Sequence, residues 1–403
     1  MTARRVAVFS TRFLPYSETF VLDELRAHRR YQADVFCARR LHRDRFDHPN
    51  VFEGGRLYEF TRWSPAFDAR LGAGGYALIH AHFGTGAVYA VPFARRHNLP
   101  LVVTFHGFDV PLLGSGERLY PKYWPYALLG PSVLRHLTLG LCASIELFEM
   151  VRELGVPAAR LRVHRIGIDV DRFTPGARDD GAEPSVVMVG RFVPKKGLVY
   201  GVRAFAEARR AGAPGRLTIA GDGPLRPQLE AAVRDEGLTG AVTFAGALPH
   251  DAVAALLARA DVLLAPSCTT ADGDRESGTI VVKEASAAGA VPLGTWHGGL
   301  PEIVEDGRTG YLVPERDVGA LAARLRELLG DPALRRRLGA AARAKMLAEY
   351  DNRERVAALE EAYDAVVRAT SAPRAPAGAA HRRGAALARS RPPAETTGPP
   401  TGR

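Results

Sequence analysis

Glu276 and Glu284 stand eight residues apart in ESGTIVVKE, on either side of a glycine turn and a helix start. If the helix begins near Thr279, Glu284 falls on its second turn and Glu276 in the loop before it, and both carboxylates face one ligand. Between them, Ser277, Gly278 and Thr279 present backbone N–H groups that have no intrahelical partner. Such a helix start favours negative charge, through its free donors and the positive end of the helix dipole. Phosphate is the natural guest there, and the flanking carboxylates would accept hydrogen bonds from hydroxyls. A sugar joined to a nucleoside diphosphate presents both groups.

A second fragment, GRFVPKKG at 190–197, follows the apolar run Val186–Val189 and precedes the helical pattern GVRAFAEARR. That order sets Gly190, Arg191, Lys195 and Lys196 at a strand-to-helix turn facing the same ligand. An arginine fork suits phosphate oxygens and a lysine adds a point charge, each charged hydrogen bond contributing roughly 1.5–3 kcal/mol. Taken alone, Lys-Lys-Gly also reads as a solvated turn. Adjacent lysines rarely face one ligand together, so Lys196 is expected to carry more than Lys195.

These fragments, with GDGP at 221–224 and GGLPEIVEDGRTGYLV at 298–313, resemble glycosyltransferase family 4, a large family of retaining sugar transferases. PYSETFVLDEL, HAHFG and TFHGFD in the first half resemble its colanic-acid, exopolysaccharide-building branch. The resemblance covers most of the chain. It implies a GT-B fold: two Rossmann-like α/β domains with parallel sheets facing each other across a cleft. It also implies roles. His106 in TFHGFD would touch the donor sugar near the reacting carbon, Glu276 would take hydroxyls of the transferred sugar, and Glu284 would hold the ribose. Arg191 and Lys196 would stabilise charge building on the departing diphosphate, the kind of stabilisation that usually dominates catalysis. Gly190, Lys195, Gly221, Ser277, Gly278 and Thr279 complete the expected donor site. Ser17, Glu18, Thr19 and Asp109 are expected at the acceptor or phosphate side. A helix cap at Ser17, a strand-end histidine at 106 and a turn-forming Asp109 are the structural alternatives.

Asp272 and Asp274 form a DGD sequence of the kind that binds manganese or magnesium in some sugar transferases. With basic groups and a helix start already available for the diphosphate, a polar loop is the better reading, and no metal or other cofactor is expected. His80 and His82 alternate along a strand end, where lining a cleft is favoured over binding metal.

The chain has 403 residues, 46% of them hydrophobic, enough for two domains with buried cores. Its net charge is +10, yet residues 371–403 hold six arginines against one glutamate, so half of the excess lies in a Pro/Ala/Gly-rich tail. A nucleic-acid partner is therefore not expected. Three widely spaced cysteines, Cys37, Cys142 and Cys268, indicate neither a disulfide framework nor zinc. MTARRVAVFS has too short an apolar run for a signal peptide and reads as a first strand. No apolar run reaches the roughly 18–20 residues of a membrane span, so the expected location is cytoplasmic, with peripheral contact at the inner membrane face as a further option.

Strands alternate with amphipathic helical segments throughout, the rhythm of βαβ units. Strands are expected at Val6–Ser10, Leu78–His82, Leu101–Phe105 and Leu137–Leu141, then at Val186–Val189, Leu217–Ala220, Val242–Phe244, Val262–Ala265 and Val291–Leu293. Proline, glycine and charge collect in FTPGARDDGAEP, dividing an acceptor-side domain at 1–175 from a nucleotide-sugar domain at 176–350. By resemblance, a helix at 353–370 returns to the first domain, and the tail at 371–403 is expected to be disordered. RLYPKYWPYALLGPSVLRH at 118–136 reads as a packed helix with an irregular start, or else as an acceptor platform or membrane-facing patch, as a lipid-linked glycan acceptor would favour.

The expected activity is transfer of a hexose or N-acetylhexosamine from a nucleotide sugar, UDP first, to an acceptor hydroxyl in exopolysaccharide or surface-glycan assembly. A natural-product glycosyltransferase acting on an aminocyclitol or antibiotic core would use the same donor site. A nucleotide-sugar epimerase or a non-catalytic binder is a further alternative. A dinucleotide oxidoreductase is disfavoured, because STRFLPYSETF after the first strand contains no Gly-x-Gly-x-x-Gly turn.

Overall fold

The computed structural model describes residues 3–15, 18–43, 47–113, 124–178, 182–271, 273–276 and 279–371. The tail from residue 372, the start of the aromatic segment before Trp124, and Ser17, Asp272, Ser277 and Gly278 lie outside them.

Two parallel sheets carry the molecule. The first contains β1 (Arg4–Phe13), β2 (Tyr31–Arg40), β3 (Val51–Glu53), β4 (Tyr76–His82), β5 (Leu101–Phe105), β6 (Leu139–Cys142) and β7 (Leu161–Val163), in the order β3-β2-β1-β4-β5-β6-β7. The second contains β8 (Ser185–Val189), β9 (Arg216–Ala220), β10 (Val242–Gly246), β11 (Val262–Ala265), β12 (Val291–Thr295) and β13 (Tyr311–Val313), in the order β10-β9-β8-β11-β12-β13. Both are doubly wound, and the strand order reverses between β1 and β4 and between β8 and β11. Ligands in such sheets bind beyond the carboxyl ends of the strands at these reversals.

Helices cover both faces of each sheet, which is why central strands such as LVVTF and VLLA are apolar without alternation and wholly buried. The nine expected strands are present, with the fourth beginning at Leu139, and four more appear among the described residues. β2 was hidden by its polar residues. Asp34 is fully buried in it, ion-paired to Arg5 and accepting from the Tyr76 hydroxyl at 2.5 Å, so its charge is matched inside the fold. β3, β7 and β13 have three residues each, too few to show a pattern.

The last helix, Asn352–Ser371, packs on the first sheet. Leu359, Ala362, Tyr363 and Val366 share a core with Val8, Leu78, Val102 and Leu141. Glu360 fastens it by accepting from the backbone N–H groups of Arg29 and Arg30, each at 2.9 Å, and of Tyr31 at 3.2 Å. The outgoing and returning chains meet where Ile168 N–H donates to Tyr350 O at 2.8 Å and Asn352 N–H donates to Ile168 O at 3.0 Å. Further contacts join the two domains. Arg165 pairs with Glu302 at 2.9 Å, and Arg275 pairs with Glu146. Helix Trp124–His136 buries Tyr126 and Val133 against the first sheet's core while Trp124 and Leu128 stay exposed.

Candidate active site

In the second domain the turns after β8 and β9 lie backbone to backbone. Gly221 has φ +138°, and a Cβ there would stand 1.9 Å from Gly190 O. The N–H of Gly190 donates to Ala220 O at 3.0 Å and that of Gly221 to Gly246 O at 2.7 Å. These two glycines therefore allow the turns to approach, and their N–H groups are used within the fold rather than offered to a phosphate.

Lys195 and Lys196 lie in the 3₁₀ turn Pro194–Lys196, closed by Gly197 at φ +60°. Both reach the loop after β11, because its acidic residues pass both side chains. Lys195 Nζ is 3.0 Å from Asp274 Oδ1 and Lys196 Nζ is 3.0 Å from Glu276 Oε2. Burial pushes the Glu276 carboxyl up, but Lys196 and Lys195 outweigh it and hold it below the usual range. Arg191 is exposed, with no ion-pair partner among the described residues.

Glu276 is set by residues that the sequence reading gave no role. Its N–H donates to His297 Nε2 at 2.9 Å, which requires the proton of a neutral His297 on Nδ1, 2.6 Å from Glu315 Oε1. Glu315 also accepts from Thr269 N at 2.8 Å and Thr269 Oγ1 at 3.0 Å. Beside them Gly298 has φ +51°, and a Cβ there would fall 1.7 Å from Glu276 O. The signal in the sequence was the WHGG run after β12.

Glu284 lies on the second turn of helix Ile280–Ala287, as expected, and is 6% exposed. Its Oε1 is 2.8 Å from His250 Nε2, and His250 Nδ1 is 2.9 Å from Arg172 Nη1. His250, the first residue of helix His250–Arg259, thus supplies a side chain to Glu284. Thr279 is the N-cap of this helix, and its buried Oγ1 has no hydrogen-bond partner among the described residues. Lys283, one residue before Glu284, is fully enclosed. Its Nζ donates to Ile166 O at 3.0 Å and lies 5.0 Å from the Tyr350 ring centre, and burial lowers its pKa to about 7.

The first domain presents the ends of β4 and β5 and the start of helix Thr19–Ala27. Glu18 takes the N-cap position, with Thr19 opening the helix, and makes no capping bond. Burial pushes the Glu18 carboxyl up to about 7, against the opposing pull of His82 and of Arg191 from the second domain. Asp23, on the same helix, is raised by burial and pulled back by His250 and Arg172. This helix start therefore lies within electrostatic reach of both halves of the donor side. His106 follows β5, nearly buried, with Nε2 3.0 Å from His82 Nδ1.

Asp109 has a different task from the one expected. It is wholly buried, and its carboxylate accepts from the backbone N–H groups of Gly84 at 2.7 Å, Gly107 at 2.9 Å and His106 at 3.2 Å. It ties the turns after β4 and β5 together, the turn-forming alternative. Glu24, His80 and His82 form the one His/Cys/Asp/Glu group among the described residues with spacing suited to a metal ion. Both nitrogens of His80 are engaged, Nε2 with Thr104 Oγ1 at 2.7 Å and Nδ1 with the Tyr363 hydroxyl at 2.6 Å. Glu24 Oε1 and His82 Nε2 have no hydrogen-bond partner among the described residues.

The family model for Glycosyltransferase Family 4 matches residues 18–172, and that for Glycosyl transferases group 1 matches residues 171–345. The chain is 34% identical over 250 residues to the protein named as the colanic acid biosynthesis glycosyltransferase WcaL of Salmonella typhimurium, a match spanning 61% of this chain and only 60% of that one. It is 37% identical over 337 residues to a GDP-mannose-dependent phosphatidylinositol monomannoside mannosyltransferase of Mycobacterium tuberculosis, covering 74% of this chain and 87% of the relative. Among solved structures, Anabaena HepE in complex with UDP and glucose superposes with a TM-score of 0.72 at 19% identity, over 90% of this chain and 100% of that one. Two facing Rossmann-like domains of the GT-B kind, with both family models matched in succession, place the chain in glycosyltransferase family 4.

Proposed function

We propose that the protein transfers a hexosyl or N-acetylhexosaminyl group from a UDP-sugar to a glycan hydroxyl, with retention of anomeric configuration, in the assembly of an exopolysaccharide or cell-surface glycan. The observation that carries this reading is the placement of Lys195, Lys196, Glu276 and Glu284 beyond the carboxyl ends of the adjacent central strands β8 and β11. Cations there meet the diphosphate, Glu276 takes hydroxyls of the sugar and Glu284 takes the ribose. His106 meets the sugar from the first domain. The acceptor attacks on the face from which the nucleotide leaves, and an oxygen of the departing phosphate takes its proton. Arg191 and Lys196 stabilise the charge that grows on that phosphate. No protein nucleophile is needed, so Glu276 is not the nucleophile of a retaining glycosidase. The cationic side chains make a metal unnecessary in this scheme.

The similarity to WcaL supports the exopolysaccharide setting and, with it, a lipid-linked acceptor met at the cytoplasmic membrane face. Among the described residues no helix is long and apolar enough to cross a membrane. A GDP-mannose donor is the second reading, favoured by the 87% coverage of the mycobacterial mannosyltransferase.

Thermal stabilisation across UDP, GDP, ADP and dTDP sugars tests the donor, with Arg191→Ala as control. At 100 times the dissociation constant a ligand adds about 2.7 kcal/mol of stability. A shift with one nucleotide family that is lost in the variant fixes the donor class. No shift with any of them overturns sugar transfer.

A further inference from the structure

Glu284 is held by a row of side chains that the transfer scheme does not use. Its Oε1 lies 2.8 Å from His250 Nε2, and His250 Nδ1 lies 2.9 Å from Arg172 Nη1. His250 opens helix His250–Arg259, and its ring packs 5.2 Å from that of Phe173. Arg172 belongs to the segment between β7 and β8, where the N–H groups of Asp171 and Arg172 both donate to Asp169 Oδ1 at 3.1 Å. Phe173 O, one residue on, accepts from Arg343 Nη1 at 3.1 Å. The row therefore starts from a fastened stretch of backbone.

Hydrogen-bond chemistry fixes the direction of each link. A guanidinium has donors only. At 2.9 Å from one, His250 Nδ1 must accept, so the ring proton sits on Nε2 and is donated to Glu284. The other neutral tautomer would set N–H against N–H at Arg172 and lone pair against lone pair at Glu284. Full protonation of the ring would give up the Arg172 bond but leave the Nε2 donor in place. Burial opposes that protonation, Glu284 and Asp23 favour it and Arg172 opposes it, with a net rise in the His250 pKa. In either charge state Oε1 of Glu284 is occupied by an N–H, while Oε2 has no hydrogen-bond partner among the described residues.

We infer that His250 and Arg172 are positioning residues for the donor nucleotide: they tie down Oε1 of Glu284 and leave Oε2 as the oxygen that accepts from the ribose diol. The inference rests on the proposal that Glu284 holds the ribose. Without His250 the carboxylate would turn about its terminal torsion and be ordered only when nucleotide binds, so the row acts by preorganisation. Its effect belongs to nucleotide affinity, because bond breaking takes place at the sugar.

The test is calorimetric titration of the full chain with UDP and with GDP, in a mutant cycle that pairs His250→Phe with Glu284→Ala. His250→Phe keeps the ring against Phe173 but removes the donor, and it is expected to weaken binding of the preferred nucleotide roughly 10-fold, the loss of one hydrogen bond to a charged group. Donor KM rises with it, while kcat changes by less than about twofold. His250→Gln, which keeps a donor for Glu284 and an acceptor for Arg172, stays within about threefold of the wild type. In the Glu284→Ala background His250→Phe adds less than about twofold, because the residue acts through that carboxylate. Should His250→Phe not fold, Arg172→Met replaces it in the same cycle, with a loss in the same direction that Glu284→Ala also abolishes. Equal losses from His250→Phe in both backgrounds would mark a merely structural role and overturn the inference. So would unchanged binding in His250→Phe where Glu284→Ala weakens it. If Glu284→Ala itself binds nucleotide as the wild type does, the ribose assignment falls and the inference with it.

Discussion

Lys196 and Glu276 are ion-paired, Nζ 3.0 Å from Oε2. The cation assigned to the departing diphosphate and the carboxylate assigned to the sugar thus set each other's charge, and chemistry at one is felt at the other. Lys196→Met removes the leading influence that keeps the Glu276 carboxyl low. Its pKa then rises, so Glu276 is protonated at a higher pH than in the wild type. The expected result is a fall in kcat of about 100-fold from lost transition-state stabilisation. With it, the acid limb of the kcat–pH profile moves to higher pH, and steady-state kinetics between pH 5 and 9 measure both.

The two glutamates should separate in their effects. Glu284→Ala is expected to weaken binding of the nucleotide alone by roughly 10- to 100-fold, the loss of a charged hydrogen bond to ribose. Glu276→Ala should leave nucleotide binding near wild type and lower kcat. Calorimetric titration with the free nucleoside diphosphate, alongside kinetics with its sugar, distinguishes them. Equal and negligible effects of both would overturn the assignment.

Gly298→Ala places a methyl group on Glu276 O and must displace the loop that carries the carboxylate. Gly307 has a similar positive φ, +74°, but open space around it, so Gly307→Ala carries the backbone strain without the collision. Both variants should lose about 1–3 kcal/mol of stability. Only Gly298→Ala should lose most of its turnover, as read from melting curves and kinetics together.

Lys283 makes stability depend on pH in the alkaline range. Its folded pKa is about 7 against an ordinary 10.5, so between those values the unfolded chain binds the extra proton. Stability contributed at this site therefore rises as pH goes from about 7 to 10.5, and the full cost of enclosing the charge is felt below 7. Lys283→Met should be more stable than the wild type at pH 6, with the difference shrinking as pH rises through that window. Urea unfolding of both proteins at matched pH checks the sign.

Much of this site was legible because turns after parallel strands write themselves as short Gly- and Lys-rich runs at fixed places in a βα rhythm. Glu276, Glu284, Lys195 and Lys196 were singled out in this way, and Glu284 lies on the helical turn expected. What stayed hidden depended on partners distant in sequence. Asp34 interrupts the apolar run of β2, and only Arg5 and Tyr76, distant in sequence, match its charge. His297 acquires a purpose only when Glu315 is beside it and the Glu276 N–H in front. Glu24 was given no role, because nothing local shows that β4 delivers His80 and His82 beneath it. Asp109 was ambiguous for the opposite reason, since a short carboxylate near a turn serves a ligand or the backbone equally well by sequence, and here three N–H groups claim it.

The return of the last helix to the first sheet bears on how the protein can be cut. The second family model ends at residue 345, an inviting place to trim an expression clone. A chain stopped there would keep every strand of the donor half and yet strip Leu359, Tyr363 and Val366 from the acceptor half. It would also leave the backbone donors of Arg29, Arg30 and Tyr31 without the Glu360 carboxylate. The damage from shortening one end would thus surface near the other, in the half of the molecule that begins the chain.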